Sequence, residues 1–335
     1  MSPTAVDSTL VVPVPTKGKV AAPLQTTGAL KDLESVEISP NIGREYPKVD
    51  LVELLRAPNS DELIRDLAVT ISERGVVVFR AQNNLTNDLQ KELIERLGRL
   101  TGRPAESGLH VHPLLNPGRE LGGDDPEISI ISSVQREKYY KEETVDGLST
   151  KKQATAQWHS DIAFEPFPAD YSSLRLSQLP KTGGGKCFSP SHNRGTWRKN
   201  GKLTRAATDT LFASGYEIYD KLSAPYQKFL EGLSSVFPVG GHVKHVNGVT
   251  HEESAHLLSW FLDLVYKNYD LQVRLRWQNP NDIAIWDNRS TFHSAIFDYE
   301  DQGDRLGIRA VGIGERPFFD PQSSSRQEAL AARRQ

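Results

Sequence analysis

The fold reading turns on the stretch Asp282-Ile283-Ala284-Ile285-Trp286-Asp287-Asn288-Arg289-Ser290-Thr291-Phe292-His293. Its first five residues, Asp282 to Trp286, read as a strand: a short apolar run, too brief for a helix. The flanks repeat the pattern, with strands expected at Val273 to Gln278 and at Leu306 to Ile313. Helices are expected earlier in the chain. Ser60 reads as an N-cap followed by acidic Asp61 and Glu62; Leu63, Ile64, Leu67, Ala68 and Ile71 then recur at helical spacing until Gly75. Val76 to Phe79 reads as a buried strand, and a second helix opens at Thr86 with Leu89, Leu93, Ile94 and Leu97 on one side. Arg119 to Thr155 is mostly polar and reads as a long surface loop broken by a strand-like Ile128 to Ile131. Beyond it come a strand from Ser173 to Gln178, a helix near Ala213 to Leu222, and a helix from His251 to Lys267. That last helix opens on a capping-box pair, Thr250 and Glu253. Helices early, strands late and no βαβ alternation predict a mainly β fold with flanking helices, an antiparallel barrel or sandwich.

Bulk properties narrow the function. At 335 residues the chain can bury a substantial core, and its net charge of −3 gives no hint of a nucleic-acid partner. No apolar run is long enough to span a bilayer. The N-terminal segment has no basic region leading into an apolar stretch, so no secretory signal is read and a cytoplasmic protein is expected. Cys187 is the single cysteine, which excludes an intrachain disulfide framework and a cysteine-based zinc site. Residues 1 to 35, rich in Pro, Thr, Ser, Ala and Lys, are expected to form a mobile tail, with an ordered domain over 36–330. The expected partner is a small-molecule substrate, and a homo-oligomer stays open.

The chemistry is carried by histidines. In Trp158-His159-Ser160-Asp161 the imidazole and the carboxylate stand two residues apart, so on a strand both point to one face. Two nitrogens and one carboxylate oxygen on one side of an ion, with the other positions open, suit iron(II) that must also bind a co-substrate and oxygen. His-x-Asp alone is a weak signal, and the specificity comes from Trp286 to His293, followed by Arg305 and Arg309. Other features read as bland. Trp158 and Trp286 fit a core, and His242 and His245 fit surface or packing positions. Gly183-Gly184-Gly185-Lys186 is not a phosphate loop, because Pro180 stands where the first glycine should be and Cys187 replaces the Ser or Thr.

These parts in this order resemble the taurine/2-oxoglutarate dioxygenases, especially their fungal sulfonate-oxidising relatives. The family pattern is His-x-Asp, a distant WDNR-x-x-x-H and two arginines shortly after; the resemblance runs from about Leu51 to Leu330. It implies a double-stranded β-helix (jelly-roll) core and Fe(2+) held by His159, Asp161 and His293. It also implies 2-oxoglutarate as co-substrate, bound by Thr210 and by Arg305 through its distal carboxylate, and O2 as oxidant. Arg309 would hold the substrate's sulfonate, and His112, with His110 as the alternative, would contact the substrate. The implied reaction hydroxylates the carbon beside the sulfonate of a compound such as taurine, releasing sulfite, succinate and CO2. The alternatives are a sister activity on another small acid or xanthine, and a catalytically impaired splice variant or binding-only member.

Two departures stand out. Relatives read LPxxGGDTLF without interruption, whereas here Leu179-Pro180-Lys181-Thr182-Gly183-Gly184 is parted from Asp209-Thr210-Leu211-Phe212 by Gly185 to Thr208. That piece carries Lys186, Arg194, Arg198, Lys199, Lys202 and Arg205, no acidic residue, and the only cysteine. Gly185-Lys186 can be encoded GGTAAG, which contains a 5′ splice signal, so the expectation is a translated retained intron; a basic surface loop is the rival. Second, a segment resembling HPVVRTxPxTG is missing between about 231 and 236, and poor expression or slow turnover is expected from its loss. In the substrate pocket, Leu115 stands where a tyrosine is expected and Thr155 where an asparagine is expected.

Overall fold

The computed structural model describes residues 23–113, 125–133, 144–145, 148–149, 158–180, 209–231, 233–236, 243–296 and 303–333. Seven strands form a large sheet: β1 (Val36–Glu37), β2 (Arg44–Tyr46), β3 (Val76–Phe79), β4 (Ser129–Ser132), β7 (Ala169–Gln178), β12 (Asp282–Asp287) and β14 (Leu306–Ile313), in the order β1-β2-β3-β12-β7-β14-β4. All pairs in it are antiparallel except β2 with β3. A smaller sheet has the order β11-β8-β13, built from β8 (Thr210–Ser214), β11 (Gln272–Leu275) and β13 (Thr291–Ala295). Two further antiparallel pairs are β5 (Thr144–Val145) with β6 (Leu148–Ser149), and β9 (Ser234–Val236) with β10 (His245–Asn247).

The period of two along a strand explains why Val76-Val77-Val78-Phe79 is apolar throughout. Val77 and Phe79 face a core shared with Ile283 and Ile285 of β12 and with Leu67, Ile71, Leu93 and Ile94. Those last four come from the helices Ser60–Arg74 and Asn87–Arg99, which cover the outer face of the large sheet. Val76 and Val78 point the other way, into a second core with Ala284 and Trp286, Leu174 and Leu176 of β7, and Phe212, Val273 and Leu275 of the small sheet. One continuous apolar run thus serves two cores. The chain passes from β7 in the large sheet to β8 and β11 in the small one, then alternates through β12, β13 and β14.

The expected turns and caps hold at most places. Thr86 Oγ1 accepts from Leu89 N, and Thr250 with Glu253 forms the reciprocal capping box of helix His251–Lys267. Gly75 ends the helix Ser60–Arg74 at φ +73°, a left-handed conformation that a side chain resists, and its carbonyl accepts from Asp287 N at 2.9 Å.

Four expectations need correction. Ser60, expected as an N-cap, is the first residue of its helix, with Asn59 at the cap position and no side-chain cap bond. The helix expected over Ala213 to Leu222 is a strand up to Ser214 and a short helix only at Gly215–Asp220, because β8 is the middle strand of the small sheet and pairs on both edges. The strand expected from Ser173 begins at Ala169. Residues 27 to 29, placed in the tail by composition, donate three backbone N–H groups to the Asp66 carboxylate at 2.9 Å. Leu115, Thr155, His242 and the stretch Gly185 to Thr208 lie outside the described residues. Among the described residues no helix is long and apolar enough to cross a membrane.

Candidate metal centre

His293 sits on β13 opposite Phe212 of β8, its ring 5.8 Å from that of Phe212 and 4.9 Å from that of Trp286. His159 meets it through an isolated antiparallel bridge, with His159 N donating to His293 O at 3.0 Å and the return bond at 2.8 Å. The two rings lie 4.2 Å apart. Asp161, two residues on, brings Oδ1 to 3.9 Å from Nε2 of each histidine. All three donor atoms lie within 4.8 Å of one another, so one ion at bond lengths of about 2.0–2.2 Å can touch them together. The structure therefore brings the three expected ligands to one point.

Their protonation states suit a cation. Burial pushes the His293 imidazole down to about 3, helped by the nearby His159, so it is neutral. Burial alone would raise Asp161, but the Arg309 guanidinium and the two imidazoles outweigh it and hold the carboxyl at about 2. A neutral imidazole and an ionised carboxylate are the ligating forms. Asp161 Oδ2 and His293 Nδ1 are buried without a hydrogen bond of ordinary geometry, a cost of about 1–3 kcal/mol each that a bound group would offset.

The main chain around Asp161 is held by residues the sequence reading left unassigned. Asn288 Oδ1 accepts from Asp161 N at 2.8 Å, and Asn288 Nδ2 donates to Asp161 O at 2.7 Å. Ser160 Oγ donates to Asn288 O at 2.6 Å. Ile162, next along, is buried at φ +44°, a left-handed conformation costing a β-branched residue about 1–3 kcal/mol and ending any strand there. Asn288 belonged to the quoted motif, so its position was a signal; the strain at Ile162 had none.

Arg305 immediately precedes β14 and is buried, its backbone paired both ways with Ser133. Arg309, on β14, donates from Nη1 to Asp161 Oδ1 at 2.7 Å. Thr210 begins β8, buried, and its Oγ1 accepts from Trp277 Nε1 at 3.2 Å. His110 and His112 both border the site. His110 is buried with Nε2 3.5 Å from Glu165 Oε1, and His112 sits edge-on to His110 at 5.7 Å and to Phe164 at 6.5 Å. Burial, Arg309 and His110 together push His112 down to about 4. Trp158 and Trp286 are core residues, as expected.

Two imidazoles and a carboxylate, one from β13 and two from the short segment bridged to it at His159, form the ligand set of a mononuclear non-haem iron oxygenase. A family model described as taurine catabolism dioxygenase TauD, TfdA family matches residues 34–194 and 234–311. An alpha-ketoglutarate-dependent dioxygenase of Penicillium shearii is 40% identical, with 92% of this chain and 96% of that protein covered. That alignment spans 367 positions, more than the 335 residues of this chain, so the relative carries stretches missing here. An alpha-ketoglutarate-dependent sulfonate dioxygenase of Saccharomyces cerevisiae is 26% identical over 86% of this chain and 68% of that protein. A crystal structure of a taurine dioxygenase from Burkholderia xenovorans superposes with a TM-score of 0.59 at 23% identity, covering 87% of this chain and 94% of that one, and so shares the fold. The chain belongs to the TauD, TfdA family and is a 2-oxoglutarate-dependent dioxygenase. Its cofactors are Fe(II), 2-oxoglutarate and O2.

Proposed function

We propose that this dioxygenase hydroxylates a small sulfonate such as taurine at the carbon beside sulfur, with release of sulfite, succinate and CO2. His159, Asp161 and His293 would hold the iron, which when bound couples oxidation of the substrate by O2 to decarboxylation of 2-oxoglutarate. The other residues bind and orient. Arg305 would offer a planar fork matched to the distal carboxylate of 2-oxoglutarate, and the Thr210 hydroxyl would be a second contact to that co-substrate. Arg309 holds the sulfonate, and His112, neutral at physiological pH, offers a hydrogen bond from the apolar side formed with Phe164. The observation that carries the reading is the placement of the Arg309 guanidinium 2.7 Å from Asp161. An anionic group bound there would lie against the metal centre, with its neighbouring carbon poised for attack.

We also infer a double-stranded β-helix core, supported by the chain's alternation between the large and small sheets. The active unit is residues 36–330, with 185–208 as an insertion and a family segment lacking between about 231 and 236. The two-part family match, resuming only at 234, and the length of the Penicillium alignment support that division, although the first part runs past 185 to 194.

A second reading is oxidation of another small acid or of xanthine. It is favoured by the ranking of relatives, since those near 40% identity are not described as acting on sulfonates and the sulfonate dioxygenases stand at 26%. The test is succinate formation with Fe(II), 2-oxoglutarate and ascorbate across sulfonates, sulfate esters, aryloxyalkanoates and xanthine. Stoichiometric sulfite from a sulfonate supports the first reading; substrate-dependent succinate only with a non-sulfur compound replaces it with the second. Absence of turnover on every compound leaves a binding-only member.

A further inference from the structure

We propose that Asn288 is the positioning residue that presents Asp161 to the metal, and that the buried pair Arg103–Asp170 is the brace that holds Asn288. The proposal rests on His159, Asp161 and His293 being the metal centre, not on the identity of the substrate.

Asp161 lacks the usual means of holding a strand residue still. Among the described residues of its segment His159 alone is bridged to β13, and the left-handed turn at Ile162 prevents a strand from continuing. The Asn288 side chain stands in for the missing ladder: one amide group accepts from the N–H of Asp161 and donates to its carbonyl, fixing both sides of the ligand's backbone. Trp286 Nε1 also donates to Asn288 Oδ1, at 3.3 Å, which settles which end of the amide is oxygen.

Asn288 is itself fixed from behind. Its N–H donates to Asp170 O at 2.7 Å, at the start of β7. The Asp170 carboxylate takes a bidentate grip from Arg103, with Nε to Oδ2 and Nη2 to Oδ1 both at 2.7 Å. Arg103 further donates from Nη1 to Glu95 Oε2 at 2.8 Å and from Nη2 to Ile94 O at 3.2 Å, tying the helix Asn87–Arg99 to the same point. The Arg103 side chain is 0% exposed, and Gly98 and Gly312 are moulded around it, since a Cβ at either would overlap the guanidinium. Charges this deeply buried are a poor means of gaining stability, because desolvation offsets most of their attraction. What a bidentate guanidinium does supply is direction, and here it is directed along Asp170 and Asn288 to a metal ligand.

The test is a titration of the metal-free full chain with cobalt(II), followed by its visible absorption, for the unaltered protein, Asn288→Ala, Asp170→Asn and Leu67→Ala. Loss of outer partners of a metal ligand typically weakens binding about 10–100-fold. Asn288→Ala is expected to raise the cobalt Kd by that factor, and Asp170→Asn to raise it less, in the same direction. Leu67→Ala, in the helix core, is expected to lower Tm and leave Kd where it was, which separates positioning from stability. Should Asn288→Ala fail to fold, Asn288→Ser keeps a hydroxyl at the site and carries the same expectation. An unchanged Kd in a folded Asn288 variant overturns the proposal while the metal centre stands; failure of the unaltered chain to bind cobalt overturns both.

Discussion

Arg309 Nη1 donates to Asp161 Oδ1 over 2.7 Å, and that oxygen is the one facing Nε2 of His159 and of His293 at 3.9 Å each. The same oxygen therefore faces both a guanidinium and the place where a metal ion would sit. Two cations at one oxygen repel each other, so a metal ion held by Asp161 would weaken its bond to Arg309 and favour pairing of that guanidinium with an anionic substrate. A hydrogen bond to a charged group contributes about 1.5–3 kcal/mol, and about 1.4 kcal/mol is tenfold in affinity. Arg309→Gln is thus expected to tighten cobalt(II) or iron(II) binding by roughly tenfold to a hundredfold, while turnover of an anionic substrate falls. Equilibrium titration of the metal-free variant checks it; binding that stays the same or weakens refutes the competition.

Alongside His293, held down to about 3, the histidine pair beside the site contributes a pH dependence. His112 is held down to about 4 by burial, by Arg309 and by His110, against an ordinary value of 6.5, and His110 is lowered as well, chiefly by burial. Above 6.5 both rings are neutral whether the chain is folded or not. As pH falls from 6.5 towards 4, the unfolded chain takes up protons that the folded chain refuses, so stability is lost on acidification. The expected result is a Tm that drops between pH 7 and pH 5, with a visibly smaller drop in His112→Asn. Equal drops in the two proteins would remove His112 as a source of the effect.

How far the sequence could be read follows from what kind of information each residue carries. His159, Asp161 and His293 were legible because their spacing joins a long-range motif, although the strand expected through His159 and Asp161 is reduced to a single bridge at His159 and a turn at Asp161. Helix ends were legible where capping chemistry is local, as at Thr250 and Glu253. Ala213 and Ser214 were misread as helix because their state is decided by β11 and β13, strands that lie far along the chain and pair on both sides. Arg103 and Asp170 carry no local pattern at all: their partnership spans 67 positions and exists only once the helix Asn87–Arg99 is packed against β7. The left-handed backbone at Ile162 runs against that residue's own preference, so no propensity could have announced it.

The remaining departure is covalent, and it can be settled outside the folded molecule. The resemblance implies an uninterrupted LPxxGGDTLF between β7 and β8; here β7 ends at Gln178 and β8 begins at Thr210, with Gly185 to Thr208 between the two halves of the motif. A net charge this one-sided, six basic residues and no acidic one, is foreign to a chain whose overall balance is −3. The Penicillium alignment, longer than the chain, shows that sequence is missing as well. Both features fit a message in which an intron has been read through and an exon segment skipped. The prediction is that the dominant mature transcript lacks the codons for Gly185 to Thr208 and encodes an additional segment between about 231 and 236. A protein made from that message should be more soluble and turn over 2-oxoglutarate faster than the present chain. Sequencing transcripts against genomic DNA decides the matter: if the major message contains every codon of Gly185 to Thr208, the stretch is a genuine basic loop and its removal should bring no gain in turnover.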